Sequence, residues 1–195
     1  MAPMPSPEPR FSAEQRAALL EVARRSIEHG LQTGSPLAVD VASYPAALQE
    51  PGASFVTLNI DGRLRGCIGS LEAVHPLVED VARNAFSAAF RDPRFPPVSA
   101  AEAPRLNIHI SVLNPAEPMQ FSSEEDLLAQ LRPGVDGLIL EDGGRRGTFL
   151  PSVWESLPDP RDFLQELKRK AGLAPDHWSD SLRVWRYTTE SFSSN

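Results

Sequence analysis

The stretch SFVTLNIDGRLRGCIG, residues 54–69, decides the fold because it holds two alternating segments joined at a tight turn. Residues 54–60 and 63–69 alternate apolar with polar side chains, a pattern typical of strands that are buried on one face. Asp61-Gly62 lies between the two segments, and Asp-Gly is a strong signal for a hairpin turn. The stretch therefore predicts an antiparallel β-hairpin.

Two registers of this hairpin are possible. A two-residue loop at residues 61–62 places Arg65 opposite Leu58, which mixes charged and apolar side chains on one face. A three-residue loop, residues 60–62, instead pairs Leu58 with Leu64 and keeps the apolar side chains together. Because segregation of apolar residues sets the register of a half-buried strand, we predict the three-residue loop.

The predicted register decides which side chains surround the cysteine. It places Cys67 opposite Phe55 and Arg65 opposite Thr57. Arg65 and Cys67 are two residues apart on one strand, so they share a face with Cα atoms about 7 Å apart. We therefore expect the guanidinium to lie on the same side of the sheet as the thiol.

The hexapeptide LRGCIG, residues 64–69, contains the only cysteine of the chain. A thiolate is a strong nucleophile and a soft metal ligand, and a neighbouring cation such as Arg65 increases its fraction. Gly66 and Gly69 leave room for a ligand to approach the strand. Cys67 is therefore the candidate catalytic residue, with Arg65, Gly66 and Gly69 as candidate ligand-binding residues. The alternative is structural, since free cysteines are often buried and strand glycines often mark a bulge.

A nucleophilic cysteine usually needs a base, and His109 is the best candidate among four histidines. It lies on the polar face of a predicted strand over residues 106–112, where Leu106, Ile108 and Ile110 alternate with polar side chains. A histidine at such a position is also common as a packed or solvent-facing residue. Both interpretations of His109 stay open.

Two charged segments add candidate anion-binding residues. Asp92 and Arg94 follow a predicted helix, where Arg94 would bind an acidic group or lock the turn by an ion pair with Asp92; we favour the lock. Arg146 and Thr148 follow a Gly-Gly turn and would present donors to a phosphate or carboxylate, unless they only form an exposed hairpin tip.

The sequence contains no recognisable ligand set for a metal. It has no Cys-x-x-Cys, no His-Glu-x-x-His and no second thiol, so we predict neither a zinc site nor an iron–sulfur cluster. No phosphate-binding loop or dinucleotide fingerprint occurs either. The cofactor is therefore left undetermined.

Composition narrows the class of protein. The 195 residues are 41% hydrophobic with a formal net charge of −7, which disfavours a nucleic-acid partner. No apolar run approaches the roughly 20 residues of a membrane span. A single cysteine and the lack of a signal pattern favour a cytoplasmic protein. The abundance of arginine over lysine indicates a GC-rich bacterial genome.

The order of predicted elements indicates one domain. We predict a flexible Pro-rich tail over residues 1–11, a single domain over 12–190 and a C-terminal tail over 191–195. Strands and helices occur without regular βαβ alternation, so the fold class is α+β, a mostly antiparallel sheet flanked by helices, with room for a smaller second lobe. The further predicted elements are a helix from Ser12 to Gly30, a helix from Pro76 to Asp92, a short helix after Ser122 or Ser123, a hairpin over 137–150, a helix over 160–170 and a strand over 182–187.

Several motifs, taken in order, resemble the AMMECR domain family, including the stand-alone protein A of the AmmeMemoRadiSam system. The matching segments are LRGCIG (64–69), NAFSAAFRDPRF (84–95), ISVL (110–113), GVDGLIL (134–140), GTFLPSVW (147–154) and KAGL (170–173). Two positions depart from common forms of the pattern, Ser152 after the Leu-Pro and Lys168 where some members carry cysteine.

The resemblance implies an α+β fold over most of the chain and a role beside a Memo-like protein and a radical S-adenosylmethionine protein. The leading hypothesis is a component that binds a small molecule or a partner's segment in a cleft at the LRGCIG motif, with Cys67-dependent catalysis left open. The alternative is a non-catalytic interaction module in which Cys67 is a packing residue.

Overall fold

A computed structural model describes residues 8–194 of the chain. Within these residues the chain divides into two compact units. One contains the residues up to Leu113 together with the segment from Glu190, and the other is Asn114–Thr189. Among the described helices, none combines the length and the apolar character that crossing a membrane requires.

The first unit begins with two helices, a hairpin, a third helix and a further strand. These are α1 (Ala13–Thr33), α2 (Ala46–Gln49), β1 (Ala53–Ile60), β2 (Arg63–Gly69), α3 (Leu77–Phe90) and β3 (Asn107–Leu113), with 3₁₀ turns at Val41–Ser43 and Ala103–Arg105.

The second unit contains a small sheet and two helices. These are β4 (Glu117–Pro118), α4 (Glu124–Gln130), β5 (Gly137–Asp142), β6 (Arg145–Phe149), α5 (Pro160–Lys170) and β7 (Arg183–Tyr187), with a 3₁₀ turn at Pro151–Glu155. A last strand, β8 (Thr189–Ser193), returns to the first sheet. The strand orders are β2-β1-β3-β8 and β4-β7-β5-β6, and every pairing that can be described is antiparallel. The predicted α+β class is therefore confirmed.

Helix α1 begins as the capping box predicts. The Ser12 hydroxyl accepts from the Gln15 backbone N–H at 3.1 Å, and the Gln15 side chain accepts from the Ser12 N–H at 3.0 Å. The predicted end at Gly30 is wrong, because the helix continues to Thr33 and is capped by Gly34 at φ 75°. Position 30 requires a glycine for a different reason. A Cβ there would lie 2.4 Å from the Phe90 ring, because α3 packs closely against α1 at this point.

The register predicted for the first hairpin is wrong. Ile60 pairs with Arg63 across a two-residue turn, whose Asp61 and Gly62 have φ 51° and 75°, the left-handed region that such a turn requires. Leu58 nevertheless faces Gly66, because a β-bulge between Leu58 and Asn59 inserts one extra residue on β2. The bulge, rather than a longer loop, keeps Leu58 away from the charged side chains of β2, while Leu64 pairs with Asn59 and is exposed.

The shifted register changes the neighbours of the LRGCIG motif. Cys67 lies opposite Thr57, and Phe55 lies opposite Gly69. On the other side of β1, Thr57 pairs with His109 of β3. Cys67, Thr57 and His109 therefore form one row across three strands.

Both predicted tails need correction where the structure describes them. Residues 1–7 lie outside the described part, but Phe11 is only 1% exposed and belongs to the core of the first unit. Residues 191–193 are part of β8, where Phe192 is buried against the same core. The carboxylate of Glu190 accepts from the Phe11 N–H and from the Arg16 guanidinium, so the start of β8 is tied to the start of α1.

The remaining elements follow their sequence signals. The hairpin of β5 and β6 turns at Gly143-Gly144, and α5 begins after Asp159, whose side chain accepts from two backbone N–H groups. Helix α4 begins after Ser123. Each unit has its own apolar core, centred on α1, α3 and β1 in the first and on α5 and β5 in the second.

Candidate functional site

The corner that follows α3 connects the two motifs of the first unit. Strand β2 lies at the edge of its sheet, and α3 packs against both β1 and β2. The buried Asp92 accepts the backbone N–H of Cys67 at 3.0 Å. It also accepts from Arg94 through the backbone N–H (3.0 Å), Nε (3.0 Å) and Nη2 (2.7 Å). One carboxylate therefore fixes both the edge strand and the arginine.

Asp92 stays ionised over the whole physiological range. The hydrogen bonds from Arg94 lower the pKa of Asp92 far below its usual range, and the bond from the Cys67 N–H acts in the same direction, while burial opposes them. Asp92 in turn raises the pKa of Arg94, with a smaller contribution from Cys67. The Arg94 side chain is 55% exposed. The predicted ion pair is present, and it presents a cation to solvent near the thiol.

Cys67 is half-buried, and its sulfur lies 3.3 Å from the Thr57 hydroxyl. His109 is on the far side of Thr57, so by strand spacing it is about 10 Å from Cys67. The His109 ring instead meets the Ser193 hydroxyl at 2.7 Å. The predicted pairing of Cys67 with His109 is therefore not formed as a direct hydrogen bond. Burial lowers the pKa of His109, so the ring is neutral near pH 7.

The Arg65 guanidinium is bound by a carboxylate. Arg65 is the extra residue of the bulge, and its guanidinium pairs with Glu102 through Nε–Oε2 (2.8 Å) and Nη2–Oε1 (3.2 Å). The Arg65 hydrogen bonds lower the pKa of Glu102 to about 2. Arg94 interacts electrostatically with Cys67, which contributes to raising the pKa of Arg94.

Three residues of this site were not among the predicted site residues, namely Thr57, Phe95 and Glu102. The Phe95 ring lies near both arginines, with the Arg65 guanidinium carbon 5.9 Å and the Arg94 guanidinium carbon 5.5 Å from its centroid. The sequence carried a signal for Phe95, since this residue ends the family motif over residues 84–95. Thr57 follows directly from the correct hairpin register.

The two glycines of the motif serve packing. A Cβ at Gly66 would lie 2.1 Å from the Ala88 carbonyl oxygen, so α3 approaches β2 through this position. A Cβ at Gly69 would lie 2.2 Å from the Phe55 ring, which covers the strand there. Both spaces are filled by the protein, which corrects the expectation that a ligand occupies them.

Arg146 and Thr148 belong to the second unit. The Thr148 hydroxyl donates to the Leu138 carbonyl at 2.8 Å and meets the Tyr187 hydroxyl at 3.1 Å. Arg146 is exposed and lies opposite Glu141 in the register of β5 and β6. Thr148 is thus engaged in holding β5, β6 and β7 together.

The second unit also buries a carboxylate and a lysine. Asp142 accepts from His177 (2.6 Å), Ser179 (2.5 Å) and Ser181 (2.6 Å), which ties the segment before β7 to the end of β5. Lys168 is fully buried beside Glu124, with its Nζ 3.4 Å from the carboxylate. Over residues 8–194, no group of three His, Cys, Asp or Glu side chains is placed to hold a metal ion.

Comparison with known proteins identifies the family of this sequence. The AMMECR1 family model matches residues 20–192. The chain belongs to the AMMECR1 family. An archaeal relative from Methanothermobacter thermautotrophicus is 39% identical over 188 residues, which cover 93% of this chain and 95% of the relative. Protein MJ0810 of Methanocaldococcus jannaschii is 36% identical over 190 residues, covering 93% and 91%.

The fold is also similar to a solved family member. The crystal structure of the uncharacterized protein PH0010 from Pyrococcus horikoshii superposes with a TM-score of 0.87 at 38% identity, covering 94% of this chain and 93% of that one. The AMMECR1 membership expected from the motifs is thereby confirmed. These relatives are archaeal, and the bacterial source inferred from composition stays a prediction.

Proposed function

We propose that this AMMECR1 protein binds a small molecule or a partner's segment at the surface formed by Cys67, Thr57 and Arg94. One observation carries the proposal: the buried Asp92 holds both the backbone of Cys67 and the guanidinium of Arg94, beside a thiol that is only half-buried. A carboxylate used in this way pre-organises a donor and a nucleophile before any ligand arrives. Following the family resemblance, the partners are a Memo-like protein and a radical S-adenosylmethionine protein, in the cytoplasm.

Binding is better supported than catalysis. A cysteine nucleophile needs a base within about 3 Å, and the ring of His109 lies across Thr57 and bonds to Ser193. The exposed guanidinium of Arg94 is instead suited to hold an anionic group beside the thiol. The alternative, a pure interaction module, is favoured by the packing roles of Gly66 and Gly69.

Alkylation with two reagents tests the site. Iodoacetate is an anion and iodoacetamide is neutral, so a cation beside the thiol raises the ratio of their rates. Replacing Arg94 with Gln should lower this ratio about threefold or more, because the reagent loses a nearby opposite charge. Arg91→Gln is the matched control, since Arg91 lies in the same segment but its guanidinium contacts the Phe86 ring.

The outcomes separate the two hypotheses. A thiol that reacts with neither reagent until the protein is denatured favours the interaction module. If Arg94→Gln and Arg91→Gln give the same ratio of iodoacetate to iodoacetamide rates, Arg94 is not part of the site. If a Memo-like protein is the partner, adding it should slow the reaction of iodoacetamide with Cys67, whereas an equal amount of serum albumin should not.

A further inference from the structure

A groove lies at the turn end of the first hairpin. It has a volume of about 480 Å³ and is lined by Ile60, Asp61, Arg63, Leu64, Arg65, Glu102 and Arg105. Three of these side chains are arginines and two are carboxylates, on a chain whose net charge is −7. The groove is therefore locally basic on an acidic protein, which concentrates anions there.

Two of the three arginines are neutralised by the carboxylates. Arg65 pairs with Glu102 at 2.8 Å, and Arg105 pairs with Asp61 at 2.6 Å. Arg63 forms no ion pair with any residue in the range 8–194. One positive charge in the groove is thus uncompensated.

Arg65 also carries an unsatisfied donor. Its side chain is only 12% exposed, and Glu102 takes Nε and Nη2. Its Nη1 is buried and lacks a hydrogen-bond acceptor throughout the described residues. A buried charged N–H without an acceptor is costly, so an anionic oxygen that reaches it gains more than it would at an exposed arginine. Because Nη1 is buried, a ligand reaches it only after a neighbouring group shifts.

The groove is apolar as well as basic. Leu64 is 42% exposed, and Ile60 is half-buried in the same groove. A groove that combines apolar lining with a few charged groups is suited to a ligand that has both an apolar and an anionic part.

We infer that this groove binds a small monocarboxylate with an apolar tail, its carboxylate reaching Arg63 and Arg65 and its tail lying on Leu64 and Ile60. A monoanion matches the single uncompensated charge, whereas a phosphate dianion would leave an excess negative charge. The inference involves neither Cys67 nor Arg94, so it stands independently of the proposed function.

Binding of hexanoate to the full chain, followed by amide shifts of residues 60–65 in NMR spectra, tests the inference. Hexanoate should bind with a Kd on the order of 1 mM, as expected for a ligand of so few atoms. Hexanamide, which lacks the charge, and inorganic phosphate should bind about tenfold more weakly or not at all. Arg63→Gln should weaken hexanoate binding about tenfold.

Two further variants make the result specific. Arg25→Gln removes the same charge from an exposed position on α1 and should leave hexanoate binding unchanged. Arg65→Lys keeps a cation facing Glu102 but removes the Nη1 donor, so it should weaken hexanoate binding. Failure of hexanoate to bind, tighter binding of phosphate, or equal losses in the Arg63 and Arg25 variants would overturn the inference. Loss of Cys67 reactivity in the alkylation experiment would not affect it.

Discussion

At the residue scale, Asp92 holds the candidate site together. Its carboxylate is buried and accepts from the Cys67 backbone and from three donors of Arg94. An amide in its place removes the charge and turns one acceptor into a donor that faces other donors. We expect Asp92→Asn to lower the free energy of unfolding by about 2 kcal/mol, the cost of unsatisfied buried charged hydrogen bonds. Urea titration measures it, with the exposed Asp180→Asn as the control; equal midpoints would show that Asp92 does not hold the corner.

The two motif glycines should differ in their tolerance of a side chain. At Gly66 the obstacle is the Ala88 carbonyl, which belongs to the backbone of α3, whereas at Gly69 it is the movable Phe55 ring. Gly66→Ala should destabilise by about 1 to 3 kcal/mol, as overpacking does. Gly69→Ala should cost less, because a ring adjusts more readily than a helix. Urea titration of both variants checks the order, and a larger loss at Gly69 would contradict the packing described for α3.

At the scale of elements, the sequence predicted the strands of the first hairpin but not their register. Alternation over residues 54–69 identifies both strands, but it cannot distinguish a longer loop from a bulge, because both place Leu58 opposite an uncharged residue instead of Arg65. The preference of Asp61-Gly62 for a tight turn decided between them. The error placed Cys67 opposite Phe55, whereas in the structure it lies opposite Thr57.

The observed turn makes a prediction of its own. Gly62 has φ 75°, where a β-branched residue is strained, so Gly62→Val should lower the free energy of unfolding by about 1 kcal/mol or more. Asp61→Asn is the matched control, since asparagine tolerates the left-handed φ of 51° at that position and the exposed ion pair with Arg105 contributes little. Denaturant titration compares them. A Val variant as stable as the Asn variant would mean that the turn relaxes into another form.

At the scale of the whole molecule, local patterns predicted the α+β class and most helices but missed the last strand. Residues 189–193 are too short to signal a strand alone, and β8 exists because it pairs with β3, which is remote in sequence. Likewise the site joins residues 57, 67 and 92–95, whose contacts depend on how α3 crosses the sheet. The family motifs identified these segments without giving their contacts.

Acid stability of the whole chain should report on the pair of Arg65 and Glu102. Arg65 holds the pKa of Glu102 at about 2, below its ordinary value of 4.5. A carboxyl group whose pKa is lower in the folded than in the unfolded chain stabilises the folded protein at a pH above its unfolded pKa. The contribution of Glu102 is therefore complete above about pH 4.5 and is lost as the pH falls toward about 2. Asp92 acts in the same direction, whereas burial raises the pKa of Asp80 and opposes it. A comparison with a single variant therefore isolates Glu102.

Glu102→Gln should be less stable than the wild type near neutral pH. The difference in free energy of unfolding should shrink as the pH falls from about 4.5 to about 2. Over this range the wild-type carboxylate becomes protonated, whereas the amide of the variant does not change. Urea titrations across this range measure the difference, with Glu155→Gln at an exposed position as the control. If the difference stays constant with pH, Glu102 is not ionised against Arg65 in solution, and the wall of the groove at the hairpin turn is arranged differently from the structure described.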